Sequence, residues 1–425
     1  MNEKTYSVAI IGCGSRGRDA YGRLFLRDKN RWNIVSLCDT DETSLNLAKN
    51  DFSVKDELCF LNDVDFFKEK RADLLVIATQ DRDHVRMCVK ALELGYNVLL
   101  EKPISPKEEE LKAVLAAQKK YGGKVLVCHV LRYAPAFVKI KELLSGGKLG
   151  RLIGIEALEQ VGYWHQAHSY VRGNWRREEE TSPMIMAKCC HDLDLLQWYA
   201  DSSCKEVYSV GRLNFFKREN RPAGAADRCR DCKYINSCIY SAENLYVKRW
   251  HTDFCPEDAW PYNVIDKEFP NTEENIRKAY ENGPYGRCVF ACDNDVVDHQ
   301  VVVAQFENGV TASLTMTAFT EWGGRKMTFH CTHGLIEFDE TNNFIRVYYF
   351  GDRKDEYDTR KIAEELGKDY FGHGGGDAVM IKKLYDILSG NSDPETELSR
   401  SIESHLMALA SEKSRKEDKP VGIER

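Results

Sequence analysis

Gly12, Gly14 and Gly17 stand at G-x-G-x-x-G spacing, with Ser15 and Arg16 between the last two. Gly12 would allow a tight turn, Gly14 would leave no side chain between backbone and a pyrophosphate, and Gly17 would let a helix pack closely on the preceding strand. The N–H groups opening that helix would face the phosphates. Asp39 lies 22 residues beyond Gly17. A carboxylate there bonds both ribose hydroxyls of a dinucleotide and repels a 2′-phosphate. Thr40-Asp41-Glu42 brings no arginine to hold that phosphate. The pattern predicts NAD rather than NADP.

A second group could handle a proton. Glu101-Lys102-Pro103 ends an apolar run, where a charged pair is costly unless it meets a partner or ligand. Lys102 would lie beside the nicotinamide, holding a substrate hydroxyl and easing its deprotonation; the alternative is a salt bridge at a strand end. In Ser182 to Trp198, read as one helix, Met184, Lys188, His191 and Leu195 share a face. Lys188 and His191 could then reach one ligand, with His191 as general acid/base. The alternative for His191 is a core histidine bonded to backbone.

Three other stretches carry chemistry-bearing residues. Tyr163-Trp164-His165-Gln166-Ala167-His168-Ser169-Tyr170 suits a carbohydrate surface, with Trp164 against sugar C–H faces, or else a buried loop. Cys229-x2-Cys232-x5-Cys238, with Cys255 as fourth thiolate, suits a structural zinc, with an iron–sulfur cluster as the lesser reading. His251 is a rival fourth ligand. The surrounding insertion, about residues 218–292, reads as polar and coreless, so a metal would fix it; free cysteines under a surface flap are the alternative. Gly372-His373-Gly-Gly-Gly-Asp377 surrounds a histidine and an aspartate with glycines, which allow close approach to a ligand.

The elements that must position these residues follow from periodicity. Short apolar runs at 7–11, 32–38, 72–79, 97–100 and 125–128 alternate with helical stretches, including Val85 to Leu94. Strand, helix and parallel strand in repetition make a doubly wound sheet. Its ligands sit at the carboxyl ends of the strands, where Thr79, Gln80, His84, Glu101, Lys102 and His129 fall. Beyond it come a helix at 134–145, a strand at 150–161, a hairpin turning at Asn308-Gly309, and strands at 325–331, 334–339 and 344–350. The expected fold is α/β: residues 1–130 as an N-terminal Rossmann domain, and 131–425 as a C-terminal α+β domain with an open, mainly antiparallel sheet. Ser411 to Arg425 reads as a charged, exposed end.

With 425 residues and a net charge of −7 spread along the chain, no basic block points to nucleic acid or anionic membrane. No apolar run reaches the roughly 18 residues of a spanning helix. Met1 to Tyr6 leads straight into a strand, so no export signal is read and a cytoplasmic protein with mostly reduced thiols is expected, its 15 cysteines notwithstanding.

Taken together, these motifs resemble the Gfo/Idh/MocA oxidoreductases. The resemblance rests on the amino-terminal G-x-G-x-x-G, the Ala-Thr strand end with His84 in the next loop, Glu101-Lys102-Pro103, Arg132-Tyr-Ala-Pro135, Trp175-Arg176, and His191-Asp192-Leu-Asp194. It covers the whole chain except the insertion. It implies NAD(P)-dependent redox at a hydroxyl-bearing carbon of a sugar or cyclitol, with Lys102 and His191 catalytic. It also implies a substrate site including Arg132, Trp175, Arg176, Asp192, His373 and Asp377. Homodimers or homotetramers through the open sheet face are expected by the same analogy. Inositol dehydrogenase-like members carry an Asp four residues before the catalytic His; here that position is Ala187, and Lys188 or Asp192 would take its place. Two other readings stay open: an NAD-dependent glycosidase working by transient oxidation of the sugar, and a non-catalytic NAD sensor.

Overall fold

The computed structural model describes residues 4–249, 260–267, 271–365 and 373–425. A six-stranded parallel sheet has the order β3-β2-β1-β4-β5-β6. Its strands are β1 (Tyr6–Ile11), β2 (Trp32–Cys38), β3 (Cys59–Phe60), β4 (Leu74–Ile77), β5 (Asn97–Leu100) and β6 (Val125–Val127). Alternate residues of each strand serve opposite faces, so two cores form. Val8, Ile10, Leu74, Val76 and Leu99 pack on Tyr21 and Phe25. Ala9, Ile11, Leu75, Ile77, Val98 and Leu100 pack on Val85, Cys88, Leu111 and Val114 of the crossover helices.

Both cores are completed from the far end of the chain. Met380, Ile381, Leu384 and Tyr385 of helix Gly376–Leu388 enter the first. Leu398 and Ile402 of helix Leu398–Glu417 enter the second. Sequence periodicity does not show this return, because such helices can bury their apolar stripes on either sheet.

The second sheet is nine-stranded, in the order β14-β13-β12-β11-β7-β10-β9-β8-β15. It comprises β7 (Leu152–Gln160), β8 (Cys204–Arg212), β9 (His299–Phe306), β10 (Thr311–Thr317), β11 (Gly324–Cys331), β12 (Gly334–Asp339), β13 (Phe344–Tyr349), β14 (Lys354–Asp358) and β15 (Val421–Gly422). Every neighbouring pair is antiparallel except β7 with β10. One face packs on helix Cys190–Ala200 and on Phe137 and Ile140 of helix Pro135–Ser145. The other face leaves Ile153, Tyr208, Val210 and Val303 37–50% exposed.

Three expectations are corrected. The chain end is not simply exposed: Ser411 and Ser414 are fully buried, and Val421 pairs with Val207 of β8. The segment after Ser182 is not one helix, because it breaks between Met184–Ala187 and Cys190–Ala200, where Cys189 leaves helical geometry (ψ 7°). The insertion is not coreless: Phe216, Leu245, Tyr246, Tyr262, Ile276, Tyr280, Tyr285 and Phe290 form a core of their own with Ala167 and Val171. Aromatic residues scattered through a polar segment carry no period, which hid that core from a pattern-based reading.

Candidate active site

The glycine loop opens a helical stretch that starts as a π-turn, Ser15–Gly22. Gly12 turns at φ +89°, and a Cβ there would meet Ala78 O at 2.3 Å. A Cβ on Gly17 would lie 1.8 Å from Gly12 O. A Cβ on Gly14 would meet nothing within 4 Å. Two glycines are therefore needed for packing, and the middle one keeps a space open at the helix N-terminus. Asp39, at the end of β2, is oriented by the backbone amides of Cys13 (2.6 Å) and Asp41 (2.8 Å). This cradle and carboxylate fit a dinucleotide pyrophosphate and ribose.

One group near Asp39 was not foreseen. Lys267 of the insertion donates to Asp41 Oδ2 at 2.8 Å. That hydrogen bond, with one from Ser44, holds the Asp41 carboxyl at about 2. The pair joins residues 226 positions apart in sequence, a relation no local motif announces.

The strand ends then build a charged floor. Arg16 donates to Glu101 (2.7 Å) and to Asp377 (2.7 Å), and also bonds the Tyr21 hydroxyl. Tyr21 donates to the same Glu101 oxygen at 2.6 Å. Burial opposes ionisation of Glu101, but Arg16, Lys102 and the Tyr21 hydroxyl hold it down at about 2. Asp377 likewise stays ionised against burial, paired with Arg16 and with His373 Nδ1 at 3.0 Å. Arg16, expected only as a loop residue at the cofactor, thus ties the glycine loop to the Glu101-Lys102 strand end and to helix Gly376–Leu388. Gly376 makes that approach possible, since a Cβ there would sit 2.4 Å from Val130 O.

Lys102, His191 and His373 come together above this floor. Lys102 Nζ reaches Ala187 O at 3.4 Å. The His191 ring lies 5.7 Å from His373 and 5.8 Å from His129 between centroids. His191 is 5% exposed, and neither ring nitrogen has a hydrogen-bond partner. Burial first, then Lys102, His373 and His129, pushes its pKa well below the ordinary histidine value. The ring is a neutral base at neutral pH with a free acceptor nitrogen. It is not a histidine bonded to backbone.

Lys188 faces Glu159 at 2.9 Å. Arg325 bridges Glu159 (3.1 Å) and Asp192 (2.8 Å). Glu159 was missed, yet it sits in the inward register of β7 after Ile155 and Ala157 and is fully buried. An acid at a core position of an alternating strand is the signal that could have found it. Lys188 therefore carries its own carboxylate, and Asp192 is committed to Arg325.

The remaining candidates have other partners. Arg132 grips Asp194 through two bonds of 2.7 Å, both side chains deeply buried, and reaches the half-buried Gln197 at 3.0 Å. Trp175 Nε1 lies 3.5 Å from Asp81, and Arg176 pairs with Asp293 and Glu180 at the surface. His84 bonds the carbonyls of Pro103 (2.7 Å) and Thr79 (3.2 Å), bracing the β4 and β5 ends. Thr79 is half-buried and Gln80 exposed at the β4 end. Trp164 stacks on His165 at 5.6 Å and packs on Trp260 at 5.3 Å. His168 stacks on Tyr285, so that half of the aromatic segment belongs to the insertion core.

The proposed zinc site is not supported. Among the described residues, no group of three or more His, Cys, Asp or Glu is spaced to hold a metal ion. Cys229, Cys232 and Cys238 instead line a cavity; Cys255 and His251 lie outside the described residues.

Comparison with known proteins places this geometry. A model of the oxidoreductase family's NAD-binding Rossmann fold matches residues 6–129, and one of its C-terminal alpha/beta domain matches residues 141–423. YteT of Bacillus subtilis (strain 168) is 26% identical, the alignment covering 90% of this chain and 91% of that protein. Inositol 2-dehydrogenase of Rubrobacter xylanophilus is 26% identical over 48% of this chain and 55% of its own length. In fold, the chain superposes on a levoglucosan dehydrogenase solved with NADH and levoglucosan, with a TM-score of 0.72, 16% identity, and 99% and 100% of the two chains covered. The two family models leave only short segments of the sequence unmatched, and the chain belongs to the Gfo/Idh/MocA oxidoreductase family.

Proposed function

We propose that the protein is an NAD-dependent dehydrogenase acting on a hydroxyl-bearing carbon of a sugar, sugar derivative or cyclitol. Residues 1–130 would bind the dinucleotide, and 131–425 would present substrate and the oligomer surface. The observation that carries this reading is His191: a buried imidazole with both nitrogens unpartnered, beside Lys102, at the carboxyl edge of a Rossmann sheet. Bound NAD would supply the hydride acceptor at nicotinamide C4. Gly14 and the Ser15 end of the helix would seat the pyrophosphate, and Asp39 the ribose hydroxyls.

Lys102 would hold the substrate hydroxyl by an ammonium hydrogen bond and stabilise the developing alkoxide. His191 would take the hydroxyl proton, its environment keeping the imidazole neutral and ready to accept. His373, fixed by Asp377, would orient a neighbouring hydroxyl. Lys188, neutralised by Glu159, would donate to another. Trp164 would offer an apolar face to sugar C–H groups. Arg132, Trp175, Arg176 and Asp192 would act by bracing these elements. The dehydrogenase names of the relatives above weigh against the glycosidase reading, and the presence of Lys102 with a free His191 weighs against the sensor.

The exposed apolar face at Ile153, Tyr208, Val210 and Val303 fits pairing of chains sheet to sheet. The functional test is NADH formation over a panel of sugars and cyclitols. Substrate-dependent NADH that is lost in His191→Asn supports the reading. Glycoside cleavage without net NADH would replace it.

A further inference from the structure

Cys229, Cys232, Cys238 and Cys288 line one small cavity in the insertion, with Ile235, Tyr240, Val289 and Phe290 in the same wall. The chain is arranged to bring them together. A 3-10 turn, Cys229–Asp231, places Cys232 N on Cys229 O at 3.1 Å, and Cys238 N closes the next turn on Tyr234 O at 2.8 Å. Arg228 and Arg287 form an antiparallel β-bridge, and Cys288 N donates to Asp227 O at 2.8 Å. That bridge brings the Cys288 strand alongside the Cys229 strand, joining residues 59 apart in sequence.

Arg172 is a second, independent feature of the cavity. It is 1% exposed and lines the wall. Its Nε donates to Arg287 O (2.8 Å), and its Nη2 to Tyr240 O (2.7 Å) and Cys229 Sγ (3.7 Å). Its Nη1 has no partner. A buried guanidinium with an unused donor at a sulfur-lined cavity calls for an anion there. The Ala242 amide also donates to Cys229 Sγ at 3.4 Å, the kind of N–H···S contact that tunes cluster thiolates.

We propose that Cys229, Cys232, Cys238 and Cys288 ligate a [4Fe–4S] cluster. A single zinc would draw four sulfurs to about 2.3 Å from one point, and no such convergence exists among the described residues. A cuboidal cluster holds its four thiolates apart and fills the space between them. Each thiol gives up a proton and binds one iron of a preassembled cluster, and no electron changes hands. The resulting dianion is balanced by Arg172 and the Ala242 amide. The cluster joins the two ends of the insertion and, through Arg172, fixes the end of the 163–172 segment that carries Trp164. Its role is structural.

The test is metal analysis of the full-length protein purified without oxygen from iron-replete cells. Expected are about four iron and four acid-labile sulfide per chain, with broad visible thiolate-to-iron absorption. One zinc per chain, or reduced thiols without iron, would overturn the proposal. Cys232→Ser and Cys288→Ser should lose the iron, whereas Cys292→Ser and Cys255→Ser should keep it. Iron lost on changing Cys255 but retained in Cys288→Ser would also overturn it. If a ligand variant fails to fold, the iron and sulfide content of the unaltered protein still decides.

Discussion

His191 differs from His405 and His84 in what its nitrogens do, and shares its lack of hydrogen-bond partners only with His129 among the buried, described histidines. His405 accepts from Ile104 N at Nε2 (2.7 Å) and donates to Ser401 O at Nδ1 (2.9 Å). His84 bonds two carbonyls, whereas His191 bonds none. His191→Asn is therefore expected to lower kcat by about 10²–10⁴-fold while NADH binding, read by fluorescence titration, is retained. Because the His191 pKa lies below its ordinary value, kcat/KM for alcohol oxidation should not fall as pH drops through about 6.5; a decline centred there would show a base with ordinary surroundings. Arg132 makes the opposite case. Its pair with Asp194 is buried on both sides, so Arg132→Ala should cost about 3–5 kcal/mol of stability by leaving a buried carboxylate alone. Denaturant unfolding would read this loss, and a changed substrate KM with unchanged stability would restore Arg132 as a substrate contact.

The three glycines of the first loop are not equivalent. Gly14→Ala should leave thermal stability unchanged, since its Cβ enters open space, yet raise KM for NAD by crowding the phosphates. Gly17→Ala should destabilise the fold, because its Cβ overlaps Gly12 O. At the end of β2, Asp39→Ala should lower the preference for NAD over NADP about 10- to 100-fold, the worth of charge-assisted bonds of about 1.5–3 kcal/mol. The ratio of kcat/KM values measures it. The loop, Asp39 and the Glu101-Lys102-Pro103 strand end were legible in sequence because each is local: a strand, a turn and a residue type at fixed spacing. The break at Lys188–Cys189 was not, since an apolar run with helix formers carries no mark of a bend imposed by packing. Glu159 and Lys267 act through partners 29 and 226 residues away, which no local pattern contains.

The whole molecule is held as one piece by elements that return late in the chain. Helices Gly376–Leu388 and Leu398–Glu417 complete the first sheet's cores, and the latter also places Met407 and Ala408 in the second sheet's core. This architecture buries several histidines as neutral rings, His168 and His405 with burial pushing each down to about 3. A histidine whose folded pKa lies below its unfolded value gives stability that is complete above about 6.5 and is lost progressively as pH falls toward the folded value. The midpoint of thermal unfolding should therefore fall between pH 7 and pH 5, and His405→Gln should blunt that dependence. The open face of the second sheet predicts association: Val303→Lys should shift the sedimentation coefficient toward the single chain without loss of secondary structure. The central claim, hydride transfer from a sugar or cyclitol carbon with His191 taking the hydroxyl proton, is tested most directly by NADH formation with substrate deuterated at the reacting carbon. The account predicts that deuterium is transferred to NADH and that His191→Asn abolishes this transfer while still binding the dinucleotide. NADH free of substrate deuterium, or transfer at full rate in His191→Asn, would contradict it.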